Sequence, residues 1–310
     1  MSTEILLATY NGEKYLPTLL ASLENQTEKD FFVRFQDDGS TDRTQEILAQ
    51  WMAKDARMIP ADRQGMHLGA KGNFCSLISQ SRAERILLCD QDDIWEPEKV
   101  EKLIETCNEA EQELGVETPI LVHSDASLID EKGCLVAPSF FRRQGWDPRA
   151  AELNRLLVQN NVTGCTVIMN RALAKLVSDY GKPETMFMHD WFIAMTAASF
   201  GQIRFVNEPL VRYRQHGSNT IGASRTSMMR RGLKFLQEKE KARERIALTY
   251  SNAQAFKDSF GQKLPEDART TIDHYLNIQR MSKIRRIHHL CADGYLMQNH
   301  MTRLGQLFFG

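Results

Sequence analysis

The N-terminal third of the chain holds three short apolar runs, each stopped abruptly by polar residues. Glu4-Ile5-Leu6-Leu7-Ala8 stops at Thr9-Tyr10-Asn11, Phe31 to Phe35 at Asp37-Asp38-Gly39-Ser40, and Arg85 to Cys89 at Asp90-Gln91-Asp92-Asp93. Apolar runs this short, bounded by turn formers, read as buried strands. Helical patterns separate them: Leu16, Leu19, Leu20 and Leu23, then Ile47, Leu48 and Trp51 with Ser40 or Thr41 as the expected cap, then Phe74, Leu77 and Ile78 after a Gly-rich loop. Met58-Ile59 is a weak strand between the last two. Strand–helix alternation of this length constrains the fold most. It demands βαβ units and an α/β architecture with a mostly parallel sheet.

Beyond this frame, Pro97 opens a helix through Val100, Leu103 and Ile104, and Ile120 to Ser124 is a further strand. Phe140 to Trp146 reads as a loop and Val162 to Met169 as a strand. Arg171 to Tyr180 and His189 to Phe200 read as helices, and Ile203 to Val206 and Pro209 to Arg214 as two short strands. After Gly217 the pattern changes to charged helices, over Met228 to Phe256 and Glu266 to Arg286. Charge changes with it. Residues 221–310 carry 16 Lys+Arg against 8 Asp+Glu, a balance of +8, so the other 220 residues carry −9 of the net −1. The chain therefore divides into a body, 1–220, and a basic, mostly helical extension, 221–310.

At 42% apolar and 25% charged, the chain can bury a sizeable core. Its six Cys form no CxxC pair and several sit in apolar runs, which favours reduced, mostly buried thiols over a zinc or disulfide framework. The N-terminus MSTEILLATYNGEKYL does not read as a signal peptide, and no apolar run is long enough to span a membrane. The expectation is a cytoplasmic chain, with peripheral membrane contact left open.

Ligands of open α/β sheets sit at the carboxyl ends of the strands, where these polar clusters fall. Asp90 and Asp92 stand at alternate positions, so on extended backbone they face one way and can hold a divalent cation; taken alone, a solvated acidic turn capping the helix at Pro97 is the better explanation. At Asp37-Asp38 the choice lies between a plain turn and a carboxylate accepting a base N–H or ribose hydroxyl. Asp190, between His189 and Trp191 at a helix start, is placed as a general base, or merely complements the helix dipole. His216, in Tyr213-Arg214-Gln215-His216, is a metal ligand or simply exposed.

Taken in order, ATYNGEKYLPTLLASLENQT, QDDGSTDRT, LLCDQDDIWEPEKV, MHDWF and YRQHGSN resemble the family 2 glycosyltransferases over roughly residues 3 to 220. Within that family the pattern is most similar to bacterial rhamnosyltransferase-like members that build surface polysaccharides and lipopolysaccharide. The resemblance implies a GT-A fold and an inverting, metal-dependent transfer from a nucleotide-diphosphate sugar, of dTDP-rhamnose or UDP-hexose type, to a glycan or lipid-linked hydroxyl. It implies that Thr9, Tyr10, Asn11, Asp38 (with Asp37), Asn73, Asp90, Gln91 and Trp191 bind the nucleotide sugar. Asp90, Asp92 and His216 would hold Mn²⁺ or Mg²⁺, and Asp190 would deprotonate the acceptor. Lys71, in the Gly65–Asn73 loop, would meet phosphate or stay on the surface. The chain departs from the family's frequent Glu-Asp at His189-Asp190, which leaves the role of His189 open.

Two other classes stand beside this one. A nucleotide-sugar pyrophosphorylase would need a Gly-rich, basic first loop, which ATYNGEKYL lacks. A non-catalytic glycan- or partner-binding relative would not need Asp90, Asp92 and Asp190. The basic extension packs on the body, docks on anionic lipid through Arg230, Arg231, Lys234, Lys239 and Lys241, or dimerises. No aromatic or motif pattern accompanies the charge, so nucleic acid is not expected.

Overall fold

The computed structural model describes residues 2–62, 67–216 and 231–309, the last from its backbone alone up to 238. The body opens as β1 (Thr3–Thr9), α1 (Leu16–Glu24), β2 (Phe32–Asp37), α2 (Thr44–Lys54), β3 (Met58–Pro60), α3 (Gly69–Gln80) and β4 (Arg85–Asp90). It continues through β5 (Ile94–Trp95), α4 (Lys99–Leu114), β6 (Ile120–Ile129), β7 (Leu135–Ala137), α5 (Phe140–Gln144) and α6 (Leu153–Val158). β8 (Val167–Asn170), α7 (Arg171–Tyr180), α8 (His189–Phe200) and β9 (Gln202–Arg214) complete it. The extension is α9 (Arg231–Phe260), α10 (Glu266–Ile278), α11 (Lys283–Ala292) and α12 (His300–Phe309).

The strands form one mixed sheet in the order β3-β2-β1-β4-β8-β6-β9-β5, with β7 on β6. β3, β2, β1 and β4 run parallel, as the alternation requires. β8 enters antiparallel between β4 and β6. The register sets the rim: Thr9 lies opposite Asp37, and Ala8 opposite Asp90. Three polar strand ends therefore meet at one level.

Both faces of the central strands are covered, which fits the apolar middles of β1 and β4. Ile5, Leu7, Leu87 and Cys89 face a core closed by α1, α2 and α4, whereas Leu6, Ile86 and Leu88 face the opposite core. The extension closes that second core. Ile246, Tyr250, Phe256 and Phe260 of α9 and Ile272 and Tyr275 of α10 are buried with Leu156 and Phe192 of the body. Phe260 stacks on Phe192 at 5.7 Å between ring centroids.

Several local expectations change. α2 starts at Thr44, not after Ser40 or Thr41, because Ser40 Oγ is bound to Asp37 and Asn11. The expected loop at Phe140 is a helix, capped by Ser139, whose side chain accepts from Arg142 N. The two strands expected over 203–214 are one, with its register shifting opposite Ser124–Ala126. The helix expected over 266–286 breaks between α10 and α11. Cys89, Cys107 and Cys165 are buried and Cys75 half-buried, whereas Cys134 and Cys291 are exposed. No helix of the described residues is long and apolar enough to cross a membrane.

Candidate functional site

A cleft of about 1430 Å³ opens over the carboxyl ends of β1, β2 and β4. Every site residue expected from the sequence lines it except Asp37. Both oxygens of Asp37 are committed: Oδ1 accepts from Thr9 and Ser40 hydroxyls, and Oδ2 from Ser40 N (2.9 Å) and Gln45 Nε2 (2.9 Å). The expected nucleotide contact at Asp37 therefore finds its oxygens already bound within the protein, outside the cleft lining. Asp37 locks the end of β2.

Asp38 turns the other way. Its two oxygens accept from Leu68 N (2.6 Å) and Gly69 N (2.8 Å), the amides that open α3. A carboxylate at a helix N-terminus is stabilised by those unpaired N–H groups, and here it also faces the cleft. Asn73, on the same helix, is buried and donates to Gln36 O (3.2 Å), while its Oδ1 has no partner. Lys71 donates to Met186 O (2.9 Å) and does not line the cleft. Gly65 lies outside the described residues.

Gln91 clamps the first loop. Its Oε1 accepts from Tyr10 N and its Nε2 donates to Tyr10 O, both at 2.8 Å. Asn11 holds a left-handed backbone (φ 48°), donating its N–H to Ser40 Oγ and accepting from Thr41 N. Beside it Gly12 leaves no room: a Cβ there would lie 2.2 Å from Gln91 Oε1. Gln91 thus shapes the wall instead of offering a free amide.

Asp92 Oδ2 lies 2.6 Å from His216 Nε2. The imidazole stacks on Tyr15 at 5.4 Å, and Arg214 covers the same ring while donating Nε to Asp92 O (2.8 Å). Asp90 does not join that pair. Among the described residues its carboxylate instead groups with Asp93 and Cys165, all donor atoms within 4.8 Å, so the metal set expected from the sequence divides. Burial, then the charges of Asp92 and Asp190, push the Asp90 carboxyl up to about 7. Two carboxylates and an imidazole suit Mg²⁺ or Mn²⁺. Relief of like charge at Asp90 is what a divalent cation offers, so the donors fit such an ion. Asp93 is wholly buried and accepts from Arg214 N (3.0 Å). Trp95 packs beneath the motif with the Lys99 ammonium 3.0 Å from its ring centroid.

Asp190 sits in the first turn of α8 on the far wall. Its Oδ1 accepts from Trp191 N (2.7 Å). Burial raises its carboxyl to about 6 despite the backbone N–H groups of Trp191 and Gly164 and the Asn160 amide. Trp191 is mostly buried, with its indole N–H spent on Leu156 O (2.6 Å). Only its ring is left for a ligand. His189 stacks on Phe74 (4.4 Å) with both ring nitrogens unpartnered, and burial lowers it to about 4, so it is neutral.

Apart from Asp190 and Trp191, sequence reasoning missed this far wall. Trp146, Gln159 and Asn161 line it, each with a buried polar atom lacking a partner. Arg245, Asn299 and Thr302 of the extension complete it. Only the Asn160-Asn161 pair hinted at it. Arg230 and the side chains of Arg231 and Lys234 lie outside the described residues; Lys239 is half-buried and Lys241 exposed.

Residues 4–126 match the family model "Glycosyl transferase family 2". The chain is 26% identical over 255 residues to the "Putative glycosyltransferase EpsH" of Bacillus subtilis, covering 78% of this chain and 71% of that protein. It is 25% identical to the "dTDP-rhamnosyl transferase RfbG" of Shigella flexneri, covering 70% and 74%. The crystal structure of S. aureus TarS 1–349 superposes with a TM-score of 0.59 at 18% identity, covering 99% of this chain and 88% of that one. Against the longer TarS chain the coverage of the partner falls to 44%.

Proposed function

We propose, from the premise that this chain is a family 2 glycosyltransferase of GT-A fold, that it moves a sugar from a nucleoside-diphosphate donor to a hydroxyl of a growing cell-surface glycan or lipid-linked acceptor, with inversion. The observation that carries this reading is the pairing across one cleft of Asp190, held near 6 by burial, with the Asp90-Gln91-Asp92 turn.

The work divides between the walls. Asp38 and the unpartnered Asn73 Oδ1 offer acceptors for base or ribose N–H and O–H groups. Thr9, Tyr10 and Asn11 form the floor, fixed by Gln91 and Ser40. Asp92, His216 and, after its carboxylate rotates, Asp90 would hold Mn²⁺ or Mg²⁺. When bound, that cation supplies Lewis-acid stabilisation of the departing diphosphate. With its carboxyl at about 6, Asp190 is ionised at neutral pH, so it can accept the proton of an acceptor hydroxyl. A single displacement follows, with oxygen attacking the anomeric carbon on the face opposite the diphosphate. Trp191 and Trp146 supply apolar faces to exclude water, and Arg245, Asn299 and Thr302 bring the extension to the acceptor side.

Two relatives suggest the donors to try first. RfbG is a dTDP-rhamnosyl transferase, and TarS has been crystallised with UDP-GlcNAc. The test is donor hydrolysis by the full chain with dTDP-rhamnose and UDP-GlcNAc, with and without Mn²⁺, followed by the Asp92→Ala variant. Turnover of either donor that needs Mn²⁺ and disappears in the variant supports the reading. Failure to bind or turn over a broad set of nucleoside-diphosphate sugars overturns it.

A further inference from the structure

Outside the cleft, one cluster of ligand-capable side chains in the extension is used by nothing described above. His274 on α10 and His289 on α11 both point at a single oxygen of Asp293, the residue that ends α11. His274 Nε2 lies 2.8 Å and His289 Nδ1 3.0 Å from Asp293 Oδ2, and one donor atom from each of the three falls within 4.8 Å of the others. The two imidazoles stand nearly perpendicular, 75° apart with centroids at 5.1 Å. We propose that His274, His289 and Asp293 form a binding site for a late first-row divalent cation, Zn²⁺ foremost, distinct from the cleft.

Two features carry this. The donor set is two imidazole nitrogens and one carboxylate oxygen, which Zn²⁺ takes with bonds of about 2.0–2.1 Å. Ligands on a tetrahedron of that size are about 3.3 Å apart. The observed 2.8 and 3.0 Å are a few tenths shorter, so the side chains need only part slightly to admit an ion. Next, each side chain is about a third exposed (34%, 34% and 39%), leaving an entry path and a fourth position for water.

The position gives the ion a task. Asp293 leads into Gly294, whose positive φ (74°) turns the chain against α6, and Asn154 Nδ2 donates to Asp293 O (2.8 Å). The next residues run to Met297 and Asn299, which line the cleft. A cation at Asp293 ties α10 and α11 to the turn that carries this wall. The donor chemistry also separates the two sites. Nitrogen-rich ligands favour Zn²⁺ over Mn²⁺, as the order of affinities for these metals requires, whereas the cleft is oxygen-rich.

The test titrates ZnCl₂ and, separately, MnCl₂ into the metal-stripped full chain, by calorimetry and thermal melting. We expect one tight equivalent of Zn²⁺ that raises the melting temperature. His274→Asn or Asp293→Asn should weaken it on the order of 100-fold, and Asp92→Ala should leave it unchanged. Because those substitutions disturb an existing contact, Co²⁺ spectra of the unaltered protein provide a second reading: visible bands of tetrahedral N/O coordination, without thiolate charge transfer. Zn²⁺ binding no tighter than Mn²⁺, binding indifferent to both substitutions, or a thiolate band from exposed Cys134 or Cys291 each overturns the proposal. None of these results depends on whether the cleft transfers sugar.

Discussion

The two walls of the cleft are built on different principles. The donor wall is made of strand ends and their next few residues, and its groups hold one another over short distances: Gln91 on Tyr10, Ser40 on Asn11, Asp38 on the start of α3. The far wall is assembled from pieces distant in sequence. Gln298 of the extension donates its N–H to Gln159 Oε1 (2.9 Å) and accepts from Asp147 N (2.5 Å), stitching two segments about 140–150 positions apart. The donor wall is rigid and nearly satisfied. The far wall keeps unpartnered polar atoms on Trp146, Gln159 and Asn161. A wall with satisfied groups suits an invariant nucleotide, and one with spare hydrogen-bonding capacity suits a variable acceptor.

The sharpest way to break that division is at the residue facing both walls. Asp190→Asn should lower sugar transfer by about 10²–10⁴-fold while leaving donor affinity, measured by calorimetry, unchanged. An equal loss of donor affinity would mean the walls are not separable. The pH profile of the unaltered chain carries the same assignment. The base must be ionised and its carboxyl sits at about 6, so transfer should be level above that value. Below it, transfer should fall by about tenfold per pH unit. On the donor wall, Asp92→Ala should cost about 10²–10³-fold in turnover and abolish the response to Mn²⁺. A Mn²⁺ response that survives would move the cation site to Asp90 with Asp93 and Cys165.

The same contrast explains what could be read in advance. βαβ alternation, the shared rim and most of the donor wall follow from local patterns, because apolar runs and the polar residues that end them are adjacent in sequence. Asp37 and Asp38 mark the limit of local reading there. They are neighbours of identical chemistry, and only the turn geometry, with Thr9, Ser40 and Gln45 around one and the α3 amides around the other, decides which faces the ligand. Phe140 to Gln144 looked irregular because α5 is too short to show periodicity; its cap at Ser139 was the usable signal. The far wall left almost no local trace. Asn299 and Thr302 meet the cleft only because Ile246, Phe256 and Tyr275 bury α9 and α10 on the body, a tertiary fact that charge counting obscured.

Smaller effects sharpen the comparison further. Gly12→Ala should act only on the donor wall, since the new methyl group displaces Gln91 and with it the clamp on Tyr10. A displacement near 1 Å at a positioning loop costs up to about 10²-fold. We expect it in donor KM more than in kcat, and a change confined to acceptor KM would contradict the rigid-wall account.

The smallest effect belongs to the extension. Asn299→Ala removes one polar group from a wall that has several, and a hydrogen bond to a neutral partner contributes about 0.5–1.5 kcal/mol. Acceptor KM should therefore rise about 2- to 10-fold, with donor hydrolysis by water unchanged. Water needs no acceptor wall, so hydrolysis isolates the donor side. If Asn299→Ala slows hydrolysis as much as transfer, the extension supports the whole cleft instead of reading the acceptor, and the two walls form one mechanical unit. If only transfer suffers, the helices after residue 230 are where this chain distinguishes one acceptor from another.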